Sequence, residues 1–279
     1  MQLGGDGQMT GLGSRFMTRL SPALLAMGLL AGAGGCAFSV PPESAAIVTE
    51  GVGAYVRGDA AGADARMSRF IAMHPSAQEA AEAHYVRGLV RSMNHDSAGA
   101  RDDFARAAAL TRRADLAGRT HLAAALVAEQ SGDDASARAG YVKAIEHMPA
   151  REGGGDLERA LYRLGCLLQR QGEWLEADRY FDRLIYLYGS GRLAAAAGRR
   201  IRGTGWTIES GAFSQRGEAA DHAAALRRAF GAPRIRPVVR ETLLWVVWTG
   251  RYDTYAQAAA DLAAARRYGP SALAAVAVE

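Results

Sequence analysis

Few residues in this chain have the types and spacing that covalent chemistry needs. There are two cysteines, Cys36 and Cys166, so one disulfide is the arithmetical limit and no disulfide framework exists. The six histidines, His74, His84, His95, His121, His147 and His222, stand apart with no HxH or HExxH spacing, so no metal is implied. A GxSxG elbow, a P-loop, a dinucleotide fingerprint and a Cys–His pair are all missing. The sequence therefore predicts no catalytic residue, no metal and no cofactor. His84 and His121 recur 37 residues apart, which reads as packing in a repeated fold. Cys166 reads as a partly buried free thiol. Asp102-Asp103 and Asp133-Asp134 read as acids in turns and first helical turns, where the helix dipole favours them. What remains is recognition chemistry, carried by tyrosine and tryptophan faces, arginine guanidiniums and a few carboxylates.

The elements that must position these groups come from a chain of 279 residues, 49% apolar and 22% charged. That is enough for one or two domains with real cores and too apolar for disorder throughout. Alanine supplies about a fifth of the residues, which favours closely packed helices. The net charge is +4 and Lys143 is the sole lysine. So mild a balance does not imply a nucleic-acid partner.

Near the start, Arg19 precedes a short apolar run, Leu20 to Leu30, then small residues and Cys36. The run is too short to span a bilayer comfortably and reads as a signal peptide. Cys directly after Ala-Gly-Gly resembles the lipobox of bacterial lipoproteins, with Met17 an alternative start. The resemblance implies a leader over 1–35, cleavage and lipidation at Cys36, and a short linker over 36–43. Ala37, in place of Asp, implies the periplasmic side of the outer membrane of a Gram-negative cell.

A set of landmarks then recurs in step. Turns fall at Gly58, His95, Gly132 and Gly172, spaced by 37, 37 and 40 residues. Seven residues before each turn stands Gly51, Gly88, Ala125 or Gly165; five after it, Ala63, Ala100, Ala137 or Ala177. A large residue follows, Met67, Phe104, Tyr141 or Phe181, and a helix end at Pro75, Arg112, Pro149 or Gly189. Small residues let two helices of a hairpin approach, and the large one is expected to fill the gap toward the next hairpin. The pattern resembles the tetratricopeptide repeat over 44–189. That resemblance implies a helical solenoid of four hairpins with a capping helix and linker over 190–203. It also implies a concave face that takes a protein or peptide partner. Helical spacing would put Tyr55, Tyr85, Arg119, Leu122, Tyr162 and Arg170 on that face.

After Gly203 the periodicity changes. Alternating runs at 206–213, 234–241, 243–252 and 271–278 enclose amphipathic helices at 215–231 and 254–269. The order is βαββαβ, with Ser210-Gly211-Ala212-Phe213 and Thr249-Gly250-Arg251-Tyr252 as matching landmarks. This resembles the SPOR (sporulation-related repeat) domain over 204–279. The resemblance implies a four-stranded antiparallel sheet with two helices on one face. Its other face would bind peptidoglycan glycan strands that have lost their stem peptides. By alternation Ile208 and Val247 face the helices, while Glu209, Leu244, Val246 and Trp248 face the open side. Trp248 would stack on a sugar ring, and Glu209 and Arg236 would hydrogen-bond it. Glu209 stands where the family has Gln, and Val246 and Trp248 where it has two Arg.

The fold class expected is thus multidomain: an α-helical solenoid followed by an α+β domain. The function expected is a non-enzymatic lipoprotein scaffold of the periplasm. It would bind peptidoglycan at one end and a protein at the other, in cell division or envelope organisation. The alternative is an assembly factor whose sheet binds protein alone.

Overall fold

The computed structural model describes residues 40–149, 155–189, 191–239 and 241–278. The leader and Cys36 lie outside the described residues. In sequence the chain divides between Leu161 and Tyr162 into two compact units.

The first unit holds three helical hairpins: α1 (Pro42–Val56) with α2 (Ala60–Met73), α3 (Ala80–Met93) with α4 (Ser97–Leu110), and α5 (Ala114–Gln130) with α6 (Asp134–His147). Each hairpin turns on a two-residue device. Gly58, His95 and Gly132 adopt left-handed φ values of 82°, 62° and 75°, which glycine reaches at little cost and histidine does not. The next residue, Asp59, Asp96 or Asp133, caps the second helix by accepting the N–H of Gly62, Gly99 or Ser136. The expectation that Asp133 sits at a helix start is met by this cap.

The small and large landmarks are all buried: Ala63, Ala100 and Ala137 beside Met67, Phe104 and Tyr141. The large residue turns back on its own hairpin. A Cβ on Gly88 would meet the Phe104 ring at 2.7 Å, and one on Gly51 would meet Met67 at 2.7 Å. The reason is helical spacing. The large residue lies four positions after the buried alanine, on the stripe that faces its partner helix.

The second unit contains most of α7 (Asp156–Arg170), then α8 (Trp174–Tyr188), α9 (Arg192–Gly198) and the sheet module. The α7–α8 turn repeats the device at Gly172, with φ 82°, but Glu173 makes no side-chain cap. Gly165 and Phe181 pack as their counterparts do, at 2.5 Å from a notional Cβ.

The sheet module runs β1 (Gly203–Phe213), α10 (Arg216–Phe230), β2 (Arg234–Val239), β3 (Leu243–Tyr252), α11 (Tyr255–Ala265) and β4 (Leu273–Val278). Strand order is β2-β3-β1-β4, with every neighbour antiparallel. Val247 packs with Ala219, Ala223 and Leu226 of α10, and Ile208 with Ala265 of α11. Phe230 joins both clusters, so the two helices cover the same face. Ile208 and Val247 face the helices as alternation predicts.

The segment 190–203, expected as a cap and linker, is tied down. Gln169 donates to the Arg200 carbonyl and accepts from Arg200 Nε, both at 2.9 Å. The Arg202 backbone N–H donates to the Asp178 carboxylate at 3.1 Å.

Candidate functional site

The first candidate surface is the sheet face opposite α10 and α11. Cross-strand pairing brings four expected residues together there. Glu209 pairs with Trp248, and Val246 pairs with Arg236 on one side and Ala212 on the other. Arg234, opposite Trp248, joins the same face. The Arg236 guanidinium lies over the Trp248 ring, 5.8 Å from its centroid, within cation–π range. The indole N–H of Trp248 is buried with no hydrogen-bond partner, an unusual state for so strong a donor. Two register shifts in β1–β3, between Trp206 and Ile208 and between Glu209 and Gly211, bracket the Glu209–Trp248 pair. Ser210, in the second shift, donates from Oγ to the Val247 carbonyl at 3.1 Å. Such bulges re-aim side chains.

Val246 departs from expectation. It lies on the open side but is fully buried, because it sits in an inner strand between the side chains of two neighbours. It supplies floor rather than contact surface. Glu209 is also largely covered, at 9% exposure.

The residues expected to line a partner groove do not form one set. Tyr85 and Leu122 are core residues, each 2% exposed, and are withdrawn from the surface. Their helices present them between neighbouring elements, where Tyr85 meets Phe104 at 6.2 Å between rings. Burial pushes the Tyr85 hydroxyl pKa well above its ordinary value. Tyr55 is half-buried, packed against two apolar clusters, and burial raises its pKa too. Arg119 stays at the surface in part. It lies over the Tyr85 ring at 5.9 Å and pairs with Asp115 at 2.8 Å. Tyr162 and Arg170 belong to the second unit. The Tyr162 ring lies 6.1 Å from that of Phe181, and Arg170 ends α7 half-buried.

Sequence reasoning missed a charged cluster. It read Asp103 as an acid in a turn or first helical turn. Asp103 is instead inside α4 and 2% exposed. His84 Nδ1 lies 2.7 Å from its carboxylate, Arg87 grips both oxygens at 2.7 and 2.9 Å, and Arg91 reaches it at 2.9 Å. Burial by itself would raise the Asp103 pKa. Hydrogen bonds from His84 and Arg87, with the charges of Arg87 and Arg91, outweigh that and hold it below the ordinary range. The signal was present: His84, Arg87 and Arg91 share one stripe of α3 at helical spacing. His121 stacks on His147, with ring centroids 5.5 Å apart. Among the described residues no group of three His, Cys, Asp or Glu could hold a metal ion.

The α7–α8 hairpin is where a family model fits. Residues 159–190 match the tetratricopeptide repeat. The three hairpins before it share its turn, its small positions and its large one. Tetratricopeptide repeats serve protein–protein interaction, which is the coarse function this hairpin indicates. No curated protein matches the chain. Among the described residues no helix is long and apolar enough to cross a membrane.

Proposed function

We propose that the protein is a non-enzymatic envelope scaffold. A tetratricopeptide array holds a protein partner, and a SPOR-like sheet holds peptidoglycan glycan freed of stem peptides. Lipidation at Cys36 anchors the chain to the periplasmic face of the outer membrane, and denuded glycan directs it to sites of wall remodelling such as division.

The observation that carries the glycan reading is the Trp248 shelf. An indole ring, a guanidinium over it and a carboxylate directly across the strand share one face. A sugar offers an apolar C–H face to stack and hydroxyls to bond. The resemblance to SPOR domains in element order and landmarks supports the same reading.

The deciding measurement is retention of the chain on purified peptidoglycan before and after an amidase removes the stem peptides. Amidase treatment is expected to increase retention, and Trp248→Ala to lose on the order of 1–3 kcal/mol of it while the fold survives. Equal and weak retention on both walls would reject glycan as the ligand.

A second reading, protein contact through the sheet, has one observation in its favour. Val239 and Leu243 pair at the β2–β3 hairpin end and are 77% and 51% exposed. A dimer that Trp248→Ala dissolves would favour it.

A further inference from the structure

We infer that the joined C-terminal ends of α10 and α11 form a docking surface for anionic phospholipid. This goes beyond the proposed function, which assigns membrane contact to Cys36 alone. Arg227 and Arg228 occupy the last turn of α10, and Arg266 and Arg267 follow the last residue of α11. Phe230 and Tyr268 meet edge to face at 6.2 Å, and Phe230 packs on Ile208 in the middle of β1, which brings the two helix C-terminal ends together over the middle of the sheet. All four arginines are exposed, and Tyr268 is 43% exposed among them.

Among the described residues no ion pair neutralises Arg227, Arg228 or Arg267. From His222 to Val239 and from Leu262 to Val278 the chain has no acidic residue. Asp261, the nearest acid on α11, accepts a hydrogen bond from Tyr252. The side chains of Arg227, Arg228 and Arg267 make no ion pair or hydrogen bond among the described residues. Arg266 donates to the Ala272 carbonyl and has a structural task. One cation per helix end would complement the dipole; here each end carries two.

The form of the surface selects the occupant. A positioned carboxylate of an acidic protein calls for a fixed clamp, whereas these guanidiniums sit on unpinned side chains around a helix end. Such a spread of charge suits a plane of phosphodiester headgroups, each of which a guanidinium can grip with two N–H groups. A half-exposed tyrosine at the rim suits the headgroup layer.

The test is sedimentation of the full chain carrying Cys36→Ser with vesicles of phosphatidylcholine, pure or with one third phosphatidylglycerol. The leader contributes equally to every variant, and no acyl anchor is needed. This separates the result from the fate of the lipidation reading. Each surface arginine is expected to add about fivefold to partition onto the anionic vesicles. Arg227→Ser, Arg228→Ser and Arg267→Ser together should lose on the order of 100-fold there and nothing on pure phosphatidylcholine. The triple Lys variant should keep most of the binding, since a charged plane reads charge. Should the Ser variant not fold, Arg228→Glu alone, at an exposed site, is expected to lose about 25-fold. Undiminished anionic preference in the Ser or Glu variant overturns the inference. So does tighter binding to soluble polyglutamate than to the vesicles, which would assign this end to an acidic protein.

Discussion

The Trp206 indole N–H donates to the Gln169 carbonyl at 3.0 Å, joining the first strand of the sheet module to the last turn of α7. Around this bond Trp174 approaches the Trp206 ring at 6.0 Å, Tyr255 meets it edge-on at 5.0 Å and Arg200 lies over it at 5.7 Å. Trp206 is 2% exposed. An indole so enclosed makes the last hairpin and the sheet one cooperative body within the second unit.

Trp206→Ala is therefore expected to cost about 3–5 kcal/mol, the range for emptying a large aromatic site. Trp206→Phe retains most packing but strands the Gln169 carbonyl, and should cost about 1–3 kcal/mol. Denaturant unfolding of the full chain followed by circular dichroism measures both. A residue 203–279 fragment as stable as the full chain's sheet module would show that the joint contributes nothing.

Asp103 is the keystone of the α3–α4 hairpin. Asp103→Ala would leave Arg87 and His84 without their buried counter-charge and is expected to cost about 3–5 kcal/mol. Because its folded pKa is depressed, its stabilisation is present above the unfolded carboxylate pKa near 4. It is lost as pH falls through the lower folded value. A pH series of thermal melts should show an acid-side loss that Asp103→Asn reduces.

The His121–His147 stack should act at higher pH. Burial first, and then the charges of His147 and Lys143, lower the His121 pKa, with Glu146 opposing them. The unfolded chain then binds a proton more readily than the folded one. The hairpin should lose stability as pH drops below about 6.5. His147→Gln removes one repelling charge. The His121 titration, followed by its ring proton resonances, should move upward; an unmoved titration would show that the stack does not couple the two rings.

Gly165 tests the small-to-large register. Its notional Cβ lies 2.5 Å from the Phe181 ring, so Gly165→Ala should overpack the hairpin by about 1–3 kcal/mol. Phe181→Leu on that background is expected to recover part of the loss. Additive losses in the double variant would mean the two positions do not share the space.

Tyr85 and Tyr162 should part company. Tyr85→Ala empties a core site and is expected to cost about 3–5 kcal/mol. Tyr162→Ala, at a half-buried site, should lower melting less and affect partner capture more. Equal destabilisation by both in parallel melts would place Tyr162 in the core as well.

The four turns, the aspartate after three of them, the buried alanines and the βαββαβ order were all readable from the chain. Each depends on residues within a few positions: a glycine that tolerates positive φ, an aspartate that caps its own helix, an alternation of period two. The pairing of Glu209 with Trp248 was also within reach, because strand alternation gives the face. Tertiary structure decided what those faces meet. Val246 was open by alternation and buried by its place in an inner strand. Tyr85 and Leu122 followed the helical stripe expected of a groove, yet neighbouring elements closed over them. Asp103 read as an acid in or near a turn until packing of α3 on α4 set three donors around it. Burial and convergence are sums over residues distant in sequence, and no local pattern carries that sum.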